Sequence, residues 1–392
     1  MKVFVADGAM RSSLSIVRSL GSKGIEVDVG ETYRHSTSAL SRYCAKSYVY
    51  PDPRTSTDEF IQWLMSLVEN GDYSAIYATT EAVTLPICYH KERLEHHTRV
   101  PFPGYEQLML THDKGKTLRI AQNCGVRTPR TVLSPDISDL TEAADTFEFP
   151  VVVRSRCKNL WLRGKFTTMN VAAGNYVFDK DALIRQAEAI LSQTGAMPLV
   201  QEYIPGTGYG VELLLCRGEP RAIFMHRRLR EYPITGGAST LREGIYSDAL
   251  REPAVTLMQN LNWHGLAMVE FKVDSRDGTP YLMEVNGRFW GSLPLAVLSG
   301  VDFPYLLHKM IIEGDIPPGE DYRTGLRSRW LIPGDIAWCA TSLLRRQNRL
   351  STLRDFFNLR DLNDDIIAWN DILPTFGAMM GASRDLTRVL FR

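Results

Sequence analysis

The chain has 392 residues, 44% hydrophobic and 23% charged, which is typical of a folded globular protein and exceeds what one hydrophobic core accommodates. Its 45 basic side chains balance 45 acidic ones, so the overall charge gives no support for a nucleic-acid partner and favours small-molecule chemistry. The six cysteines are scattered without C-x-x-C pairs, which favours reduced thiols in a cytoplasmic protein.

The first hundred residues alternate between predicted strands and helices. A buried strand at 3–6, a helix at 12–20 and a strand at 25–29 form the β-α-β pattern of a parallel sheet. The first turn has only Gly8 instead of G-x-G-x-x-G, which disfavours a nicotinamide or flavin site. We find no signal-peptide pattern and no apolar stretch long enough to cross a bilayer, so we expect no transmembrane segment.

The pattern changes in the middle of the chain. A helix is predicted at 113–123, with Gly125 as its C-terminal cap. From Pro150 onward, short strands separated by reverse turns dominate, with one helix near 182–191. We therefore expect an α/β N-terminal domain followed by an α+β region with a largely antiparallel sheet.

The clearest chemical signal is a predicted β-hairpin with its turn at Asp277. Glu270 and Glu284 are equally distant from this turn, so they should face each other across the two strands. Asn286 and Arg288 continue the same alternation. Two carboxylates, an amide and a guanidinium are thus predicted on one face of the hairpin.

The two faces of this hairpin differ in character. Five side chains are predicted on the apolar face: Val269, Phe271, Val273, Met283 and Val285. On the polar face, we predict that Glu270, Glu284 and Asn286 hold Mg²⁺, or Mn²⁺ in its place, because these cations prefer oxygen ligands. Arg288 is predicted to stabilise a phosphoryl group or an anionic substrate. The alternative is a solvent-facing hairpin with a salt bridge.

The segment 284–288, an E-x-N-x-R stretch, resembles the ATP-grasp superfamily. The resemblance is to its carbamoyl-phosphate-synthase-like branch, which includes biotin carboxylase and amino-acid ligases such as D-aspartate ligase. It extends over residues 1–315, where several segments match in the expected order. It implies a pre-ATP-grasp domain at 1–112, a small lid subdomain at 113–197 and a catalytic subdomain at 198–320. Beyond the resemblance, we expect residues 321–392 to form a mainly helical extension.

The resemblance also implies phosphate-binding residues. Lys114 takes the place of the lysine that contacts nucleotide phosphate, whereas Arg154 stands where a second lysine is usual. The family's phosphate lid is commonly rich in glycine, but here it holds only Gly164. Three basic side chains are candidates to supply charge in this lid: Lys158, Arg163 and Lys165. A basic exposed loop is the alternative.

The segment LVQEYIPG resembles the family's adenine-binding link. The resemblance implies adenine contacts by Gln201, Glu202, Tyr203 and Ile204. The carboxylate that holds the ribose in many relatives has no clear counterpart, which leaves Tyr209 or water for that role. A buried strand end is the alternative interpretation.

A basic strand near Gly236 is the last matching segment, and in relatives it reaches the reacting centre. Alternation places Arg228 and Arg230 on one strand face, so we predict that both act in catalysis together with Arg288. A solvated basic strand is the alternative.

The C-terminal region has a composition of its own. Residues 326–392 contain ten arginines and seven aspartates but neither lysine nor glutamate. We expect this extension to pack on the core or to make a subunit contact, which leaves a homodimer open; contact with an anionic membrane surface is the alternative. Six side chains are predicted as buried anchors: Trp330, Ile332, Trp338, Phe356, Phe357 and Trp369.

These features predict an ATP-dependent ligase that joins a small-molecule carboxylate to an amine. ATP and Mg²⁺ would convert the carboxylate into an acyl phosphate, and C–N bond formation would leave ADP and phosphate as products. One alternative is a bicarbonate-activating carboxylase or carbamoyl-transfer enzyme. Another is a non-catalytic ATP-binding sensor or scaffold, because Arg154 and the glycine-poor lid depart from the family pattern.

Overall fold

The computed structural model describes the whole chain except residues 163–164, 170–174, 235, 320, 346–348, 359–361 and 391–392. The strands of the described residues are, in chain order, β1 (Lys2–Val5), β2 (Glu26–Glu31), β3 (Cys44–Val49), β4 (Tyr73–Tyr77), β5 (Thr131–Leu133), β6 (Val151–Arg154), β7 (Asn159–Leu162), β8 (Lys165–Thr168), β9 (Tyr176–Val177), β10 (Leu199–Glu202), β11 (Gly206–Cys216), β12 (Glu219–Tyr232), β13 (Ala238–Ile245), β14 (Gly265–Asp274), β15 (Pro280–Asn286), β16 (Arg327–Arg329) and β17 (Leu362–Asp364).

Helices separate most of these strands. They are α1 (Arg11–Gly21), α2 (Thr57–Asn70), α3 (Glu81–Tyr89), α4 (Lys91–Leu94), α5 (Tyr105–His112), α6 (Lys114–Asn123), α7 (Ile137–Ala144), α8 (Lys180–Thr194), α9 (Asp248–Asn260), α10 (Leu293–Ser299), α11 (Phe303–Glu313), α12 (Ile336–Leu344), α13 (Arg349–Phe356) and α14 (Leu373–Leu390). Within the described residues, no single helix has the length and apolarity to cross a membrane. The helices α10 and α11 have the required length and apolarity only when counted together, and they are bent by 85° relative to each other.

The first sheet brings the N-terminal part of the chain to the candidate site. Its order is β3-β2-β1-β4 with every pair parallel, so the predicted β-α-β opening is confirmed. Asp7 ties the carboxyl ends of β1 and β4 together, because its carboxylate accepts hydrogen bonds from the N–H groups of Thr79 and Thr80, both at 2.8 Å. Glu81 begins α3 directly after this contact. It therefore lies at the sheet edge where open α/β sheets bind ligands.

The second sheet is antiparallel and has the order β5-β10-β6-β9. Its apolar side packs on α7 and α8 through a core that includes Leu140, Val153 and Leu183. The hairpin β7-β8 follows β6 and contacts the N-terminal region, where the Phe166 N–H donates to the carbonyl of Arg54 at 3.0 Å.

The large sheet has the order β15-β14-β11-β12-β13-β16-β17. Its pairs are antiparallel up to β16, but β16 and β17 run parallel, so this sheet is mixed. Apolar side chains fill both faces, with Val211 and Leu213 in one core cluster and Leu214 and Leu266 in another. The predicted α/β and α+β character is thus present in general form.

The predicted apolar face of the β14-β15 hairpin needs one correction. The register shifts between Glu270 and Phe271, because β15 has one extra residue there. Phe271 consequently pairs with Leu282, and Leu282 is fully buried in the core. Met283 was predicted in that position but is only half-buried.

The C-terminal extension is joined to the rest of the protein by buried ion pairs. Asp365, next to β17, contacts Arg242 of the large sheet and lies 3.2 Å from Arg11 at the start of α1. Two predicted anchors are wrong, because the Phe357 side chain is 68% exposed and that of Trp369 is 94% exposed.

Candidate active site

A pair of carboxylates lies near the centre of the β14-β15 hairpin. Glu270 and Glu284 are directly opposite each other in the ladder, as the alternation around the turn predicts. Asn286 joins them, because its Nδ2 donates to Oε1 of Glu270 at 2.9 Å. Among the described residues, no group of three or more His, Cys, Asp or Glu side chains is placed to hold a metal. A cation on this hairpin would therefore need phosphate or water oxygens as further ligands.

Each carboxylate has a cationic partner. Lys114 Nζ lies 3.1 Å from Glu284 Oε2, and Arg228 donates to Oε2 of Glu270. Burial alone would raise the pKa of Glu284, but Lys114 and Arg154 hold that pKa well below its usual range. Burial alone would lower the pKa of Arg228, but Glu270 and other carboxylates raise it above its usual value. Glu284 and Arg228 are consequently ionised at neutral pH.

The start of α6 fixes the position of Lys114. Asp113 caps this helix by accepting a hydrogen bond from the Gly115 N–H at 2.9 Å. The same carboxylate accepts a hydrogen bond from Arg156 Nη2 at 2.7 Å, and the Lys114 N–H donates to the Arg156 carbonyl at 3.0 Å. Lys114 is thus a buried ammonium on a backbone held by hydrogen bonds, with Glu284 as its counter-ion.

Arg154 reaches the same hairpin from the end of β6. It is buried, and its Nη2 donates to the carbonyl of Met283 at 3.1 Å. Burial lowers its pKa, whereas Glu284 and Glu270 oppose that effect. The β15 bulge at Met283 therefore provides an acceptor for this guanidinium beside the carboxylate pair.

The family resemblance implies that Arg154 binds ATP, and on that basis we expect Arg154→Lys to raise the KM for ATP about ten-fold, or about 1.4 kcal/mol. The ammonium keeps the charge but loses the planar geometry that contacts Met283 and leaves a second nitrogen for phosphate. Steady-state ADP release at varied ATP measures the change. Arg185→Lys on the exposed side of α8 is the matched control. An unchanged KM in Arg154→Lys would mean that arginine supplies charge alone.

Arg230 lies apart from the carboxylate pair. The β12 ladder shifts register on both sides of Arg230, so the alternation that would place it with Arg228 is interrupted. Its Nη1 donates to Asp335 Oδ2 at 2.8 Å, and its guanidinium packs on the Trp338 ring. The predicted grouping of Arg228 with Arg230 is therefore not present, and Arg230 contacts the C-terminal extension instead.

Arg288 connects the hairpin to the N-terminal sheet. Its Nη2 donates to Asn286 Oδ1 at 3.1 Å and to Glu81 Oε1 at 3.0 Å. The other oxygen of Glu81 accepts from Asn159 Nδ2 at 2.6 Å and lies 3.6 Å from His112 Nδ1. Burial would raise the pKa of Glu81, but Arg288 and His112 lower it to about 2. Glu81 is therefore ionised at neutral pH beside Arg288.

A cavity that opens to solvent joins these groups, and its space together with the solvent at its mouth is about 470 Å³. Charged and polar side chains from both halves of the site line it: Glu81, His112, Lys114, Lys158, Glu284, Asn286 and Arg288. Thr84, Leu85, Leu108 and Thr111 form the remaining wall on the side of α3 and α5. Lys114 and Glu284 therefore share one space with Arg288 and Glu81.

The predicted adenine segment begins in the second sheet. Gln201 is buried within β10, and its Nε2 donates to Thr131 Oγ1 at 3.0 Å. Glu202 ends β10, so Tyr203 and Ile204 lie beyond the ladder. Among these residues, Gln201 is thus already hydrogen-bonded within the sheet.

Two aromatic side chains lie near this strand end. The Tyr203 ring packs against Lys272 Nζ at 4.9 Å and against the edge of Tyr176. Tyr209 on β11 is half-buried and packs against the core cluster that contains Val211 and Leu213.

The predicted lid is only partly described. Lys158 lines the cavity, Arg163 lies outside the described residues, and Lys165 is described as part of the backbone of β8. Trp161 stacks on Phe166 within the hairpin, with their ring planes 4° apart. This hairpin brings Asn159 to Glu81, and the preceding residue Lys158 lines the cavity, so the lid segment contributes to the cavity wall.

Sequence reasoning did not identify Glu81 or His112 as candidate site residues. Glu81 is far from Arg288 in sequence, and only packing of the first sheet on the large sheet brings them together. One signal was present, since Glu81 follows a buried strand of a predicted parallel sheet at the ligand-binding edge. His112 precedes the capping Asp113 and carries no comparable signal.

Comparisons with known proteins agree with this architecture. Residues 195–331, which include the carboxylate hairpin, match a family described as ATP-grasp in the biosynthetic pathway with Ter operon. A search of curated proteins found no match. Similar solved structures are more informative about the whole chain.

Three of these structures cover most of the chain at low identity. A biotin carboxylase from Campylobacter jejuni has 15% identity and a TM-score of 0.68, covering 83% of this chain and 74% of that one. An N5-carboxyaminoimidazole synthetase from Staphylococcus aureus has 13% identity and a TM-score of 0.61, covering 83% and 80%. An L-amino acid ligase from Bacillus licheniformis has 15% identity and a TM-score of 0.60, covering 81% and 77%. The ATP-grasp fold predicted from several matching segments is thus confirmed.

Proposed function

We propose that this chain, which has the ATP-grasp fold, is an ATP-dependent carboxylate-amine ligase that works through an acyl phosphate. The observation that carries the proposal is the shared cavity, in which Lys114, Glu284 and Asn286 lie next to Arg288. A phosphate-binding ammonium, oxygen ligands for a cation and a carboxylate-binding guanidinium are the groups that such a reaction needs.

The nucleotide would bind with its phosphates at the hairpin. Lys114 and Arg154 would neutralise the phosphates, and Glu270, Glu284 and Asn286 would hold Mg²⁺ or Mn²⁺. When bound, the cation lowers the cost of bringing negative phosphate oxygens beside the carboxylates. For the cation to bind, Glu284 would have to replace its contact with Lys114 by one with the cation. Glu270 would have to do the same with its contact to Arg228.

At the other end of the nucleotide, we propose adenine contacts by Glu202, Tyr203 and Ile204, where the backbone leaves β10. Gln201 would contribute through its backbone in β10, since its side-chain amide already donates a hydrogen bond to Thr131. Tyr209 remains the candidate for the ribose. The domain boundaries at 112, 197 and 320 likewise remain a prediction.

The chemistry would proceed in two steps. A substrate carboxylate oxygen, oriented by Arg288, attacks the γ-phosphorus, and the bond from that phosphorus to the ADP oxygen breaks. The amine nitrogen then attacks the acyl carbon, inorganic phosphate leaves with the electron pair of the C–O bond, and the nitrogen loses a proton. Arg228 would balance charge on the transferred group after exchanging its contact with Glu270.

An ADP-release screen with hydroxylamine tests this proposal. Carboxylates, amino acids and bicarbonate are supplied one at a time with ATP and Mg²⁺, and then in pairs with amines. Hydroxylamine intercepts an acyl phosphate as a hydroxamate even if the natural amine is not in the panel. We expect an organic acid, and in particular an amino acid because both signs of charge line the cavity, to yield a hydroxamate.

Two other outcomes would contradict the proposal. ADP release with bicarbonate alone, without a hydroxamate from any organic acid, would identify a carboxylase or carbamoyl-transfer enzyme. ATP binding without ADP release across the whole panel would identify a sensor or scaffold.

A further inference from the structure

The cavity wall carries two chemically different sets of charged groups. Lys114 and Glu284 belong to the set assigned above to phosphate and cation. The charged pair Glu81 and Arg288 lines the same cavity beside α3 and α5, and Arg288 also donates to Asn286 at 3.1 Å. The part of the wall next to Glu81 is therefore neither uniformly cationic nor uniformly apolar.

Glu81 and Arg288 have unused hydrogen-bonding capacity. An ionised carboxylate offers about four acceptor positions, so Glu81 can accept further donors besides Arg288 and Asn159. Among the described residues, Arg288 Nε and Thr84 Oγ1 are buried without a hydrogen-bond partner. Both residues line the cavity. A ligand with an anionic and a cationic group would use this capacity.

The separation of the two charges restricts that ligand. Arg288 Nη2 and Glu81 Oε1 are 3.0 Å apart, so groups bound to them must also be close neighbours. In an α-amino acid, a single carbon separates the carboxylate from the ammonium. Leu85 and Leu108 lie along the same wall, where an apolar part of a side chain would be shielded from water.

We propose that Glu81 binds the ammonium, and Arg288 the carboxylate, of an α-amino acid that is the carboxylate substrate of this enzyme. The inference rests on the proposed function and adds a substrate class and a specificity residue to it. Glu81 acts as a binder, not as a proton acceptor, because its pKa of about 2 makes it a weak base at neutral pH.

The test compares amino acids with acids that lack only the amino group. The pairs are alanine with propanoate, leucine with 4-methylpentanoate and aspartate with succinate, using both enantiomers of each amino acid. The first half-reaction is followed by positional isotope exchange in ATP, which needs no amine nucleophile, and by hydroxamate formation. The proteins are the wild type, Glu81→Gln and the control Glu92→Gln, which changes an exposed carboxylate on α4.

We expect the wild type and Glu92→Gln to prefer an amino acid over its partner acid by about 10- to 100-fold in kcat/KM, the range for one charge-assisted contact. Glu81→Gln should lose most of this preference, because its activity on the amino acid should fall by a larger factor than its activity on the partner acid. Equal use of both acids by the wild type would overturn the inference, and this comparison needs no variant. An equal loss on both acids in Glu81→Gln would also overturn it, since Glu81 would then only orient Arg288. Absence of exchange and hydroxamate with every acid would instead reject the proposed function.

Discussion

Glu284→Gln is expected to lower kcat by about 100- to 1,000-fold while leaving the fold intact, the range typical of losing one electrostatic contact at a reacting centre. The change preserves shape but removes the charge that faces Lys114 and Arg154. Without that charge, the cation would lose a carboxylate ligand next to the phosphates. ATP should still bind, because both cationic side chains remain.

The measurement is kcat at saturating Mg²⁺, together with thermal unfolding to verify the fold. Glu252→Gln, on the exposed side of α9, is the matched control and should behave as the wild type. A Glu284→Gln enzyme with unchanged kcat would remove Glu284 from the site.

Asp365→Asn is expected to cost about 3–5 kcal/mol in the free energy of unfolding, because breaking a buried ion pair leaves an uncompensated charge. Asp365 contacts Arg242, and both side chains are completely buried. It also lies 3.2 Å from Arg11. Asparagine would fill the space, but two guanidinium groups would lose their shared counter-ion.

Urea unfolding of wild type and variant measures this cost. Asp355→Asn is the control, since that side chain is exposed and only its backbone carbonyl contacts Arg230. A change below about 1 kcal/mol in Asp365→Asn, the size of an exposed pair, would show that the cluster contributes little.

Glu270→Gln should also reduce kcat, and the double variant with Glu284→Gln should lose less than the sum of the two single effects. The two carboxylates are opposite each other in one ladder, so they would serve one cation cluster. Steady-state kinetics of the four proteins gives the coupling. Full additivity would indicate that Glu270 and Glu284 act in separate sites.

The carboxylate hairpin could be predicted from the sequence because the residues that determine it are close together in the chain. A tight turn and period-two alternation fix which residues face each other, and this is sufficient to pair Glu270 with Glu284. The bulge was not accessible, since Leu282 and Met283 are both apolar and alternation does not distinguish which one is buried. Local pattern therefore predicts register up to the first irregularity.

Features that depend on distant contacts were harder to predict. Arg230 leaves the predicted face because β12 shifts register where the C-terminal extension contacts it. Glu81 contacts Arg288 because two sheets pack together, and the sequence around either residue does not predict this contact. The part of the cavity wall that α3 and α5 form could not be predicted for the same reason.

The parallel pairing of β17 with β16 has a consequence for how this protein can be rearranged. The extension supplies the last strand of the large sheet and the counter-ion of Arg242, so it is not an independent module. A gene fusion or deletion that separated residues 362–365 from the rest would expose the backbone edge of β16 and invite self-association. Residues 362–365 therefore have to stay in one chain with the large sheet for this edge to remain covered.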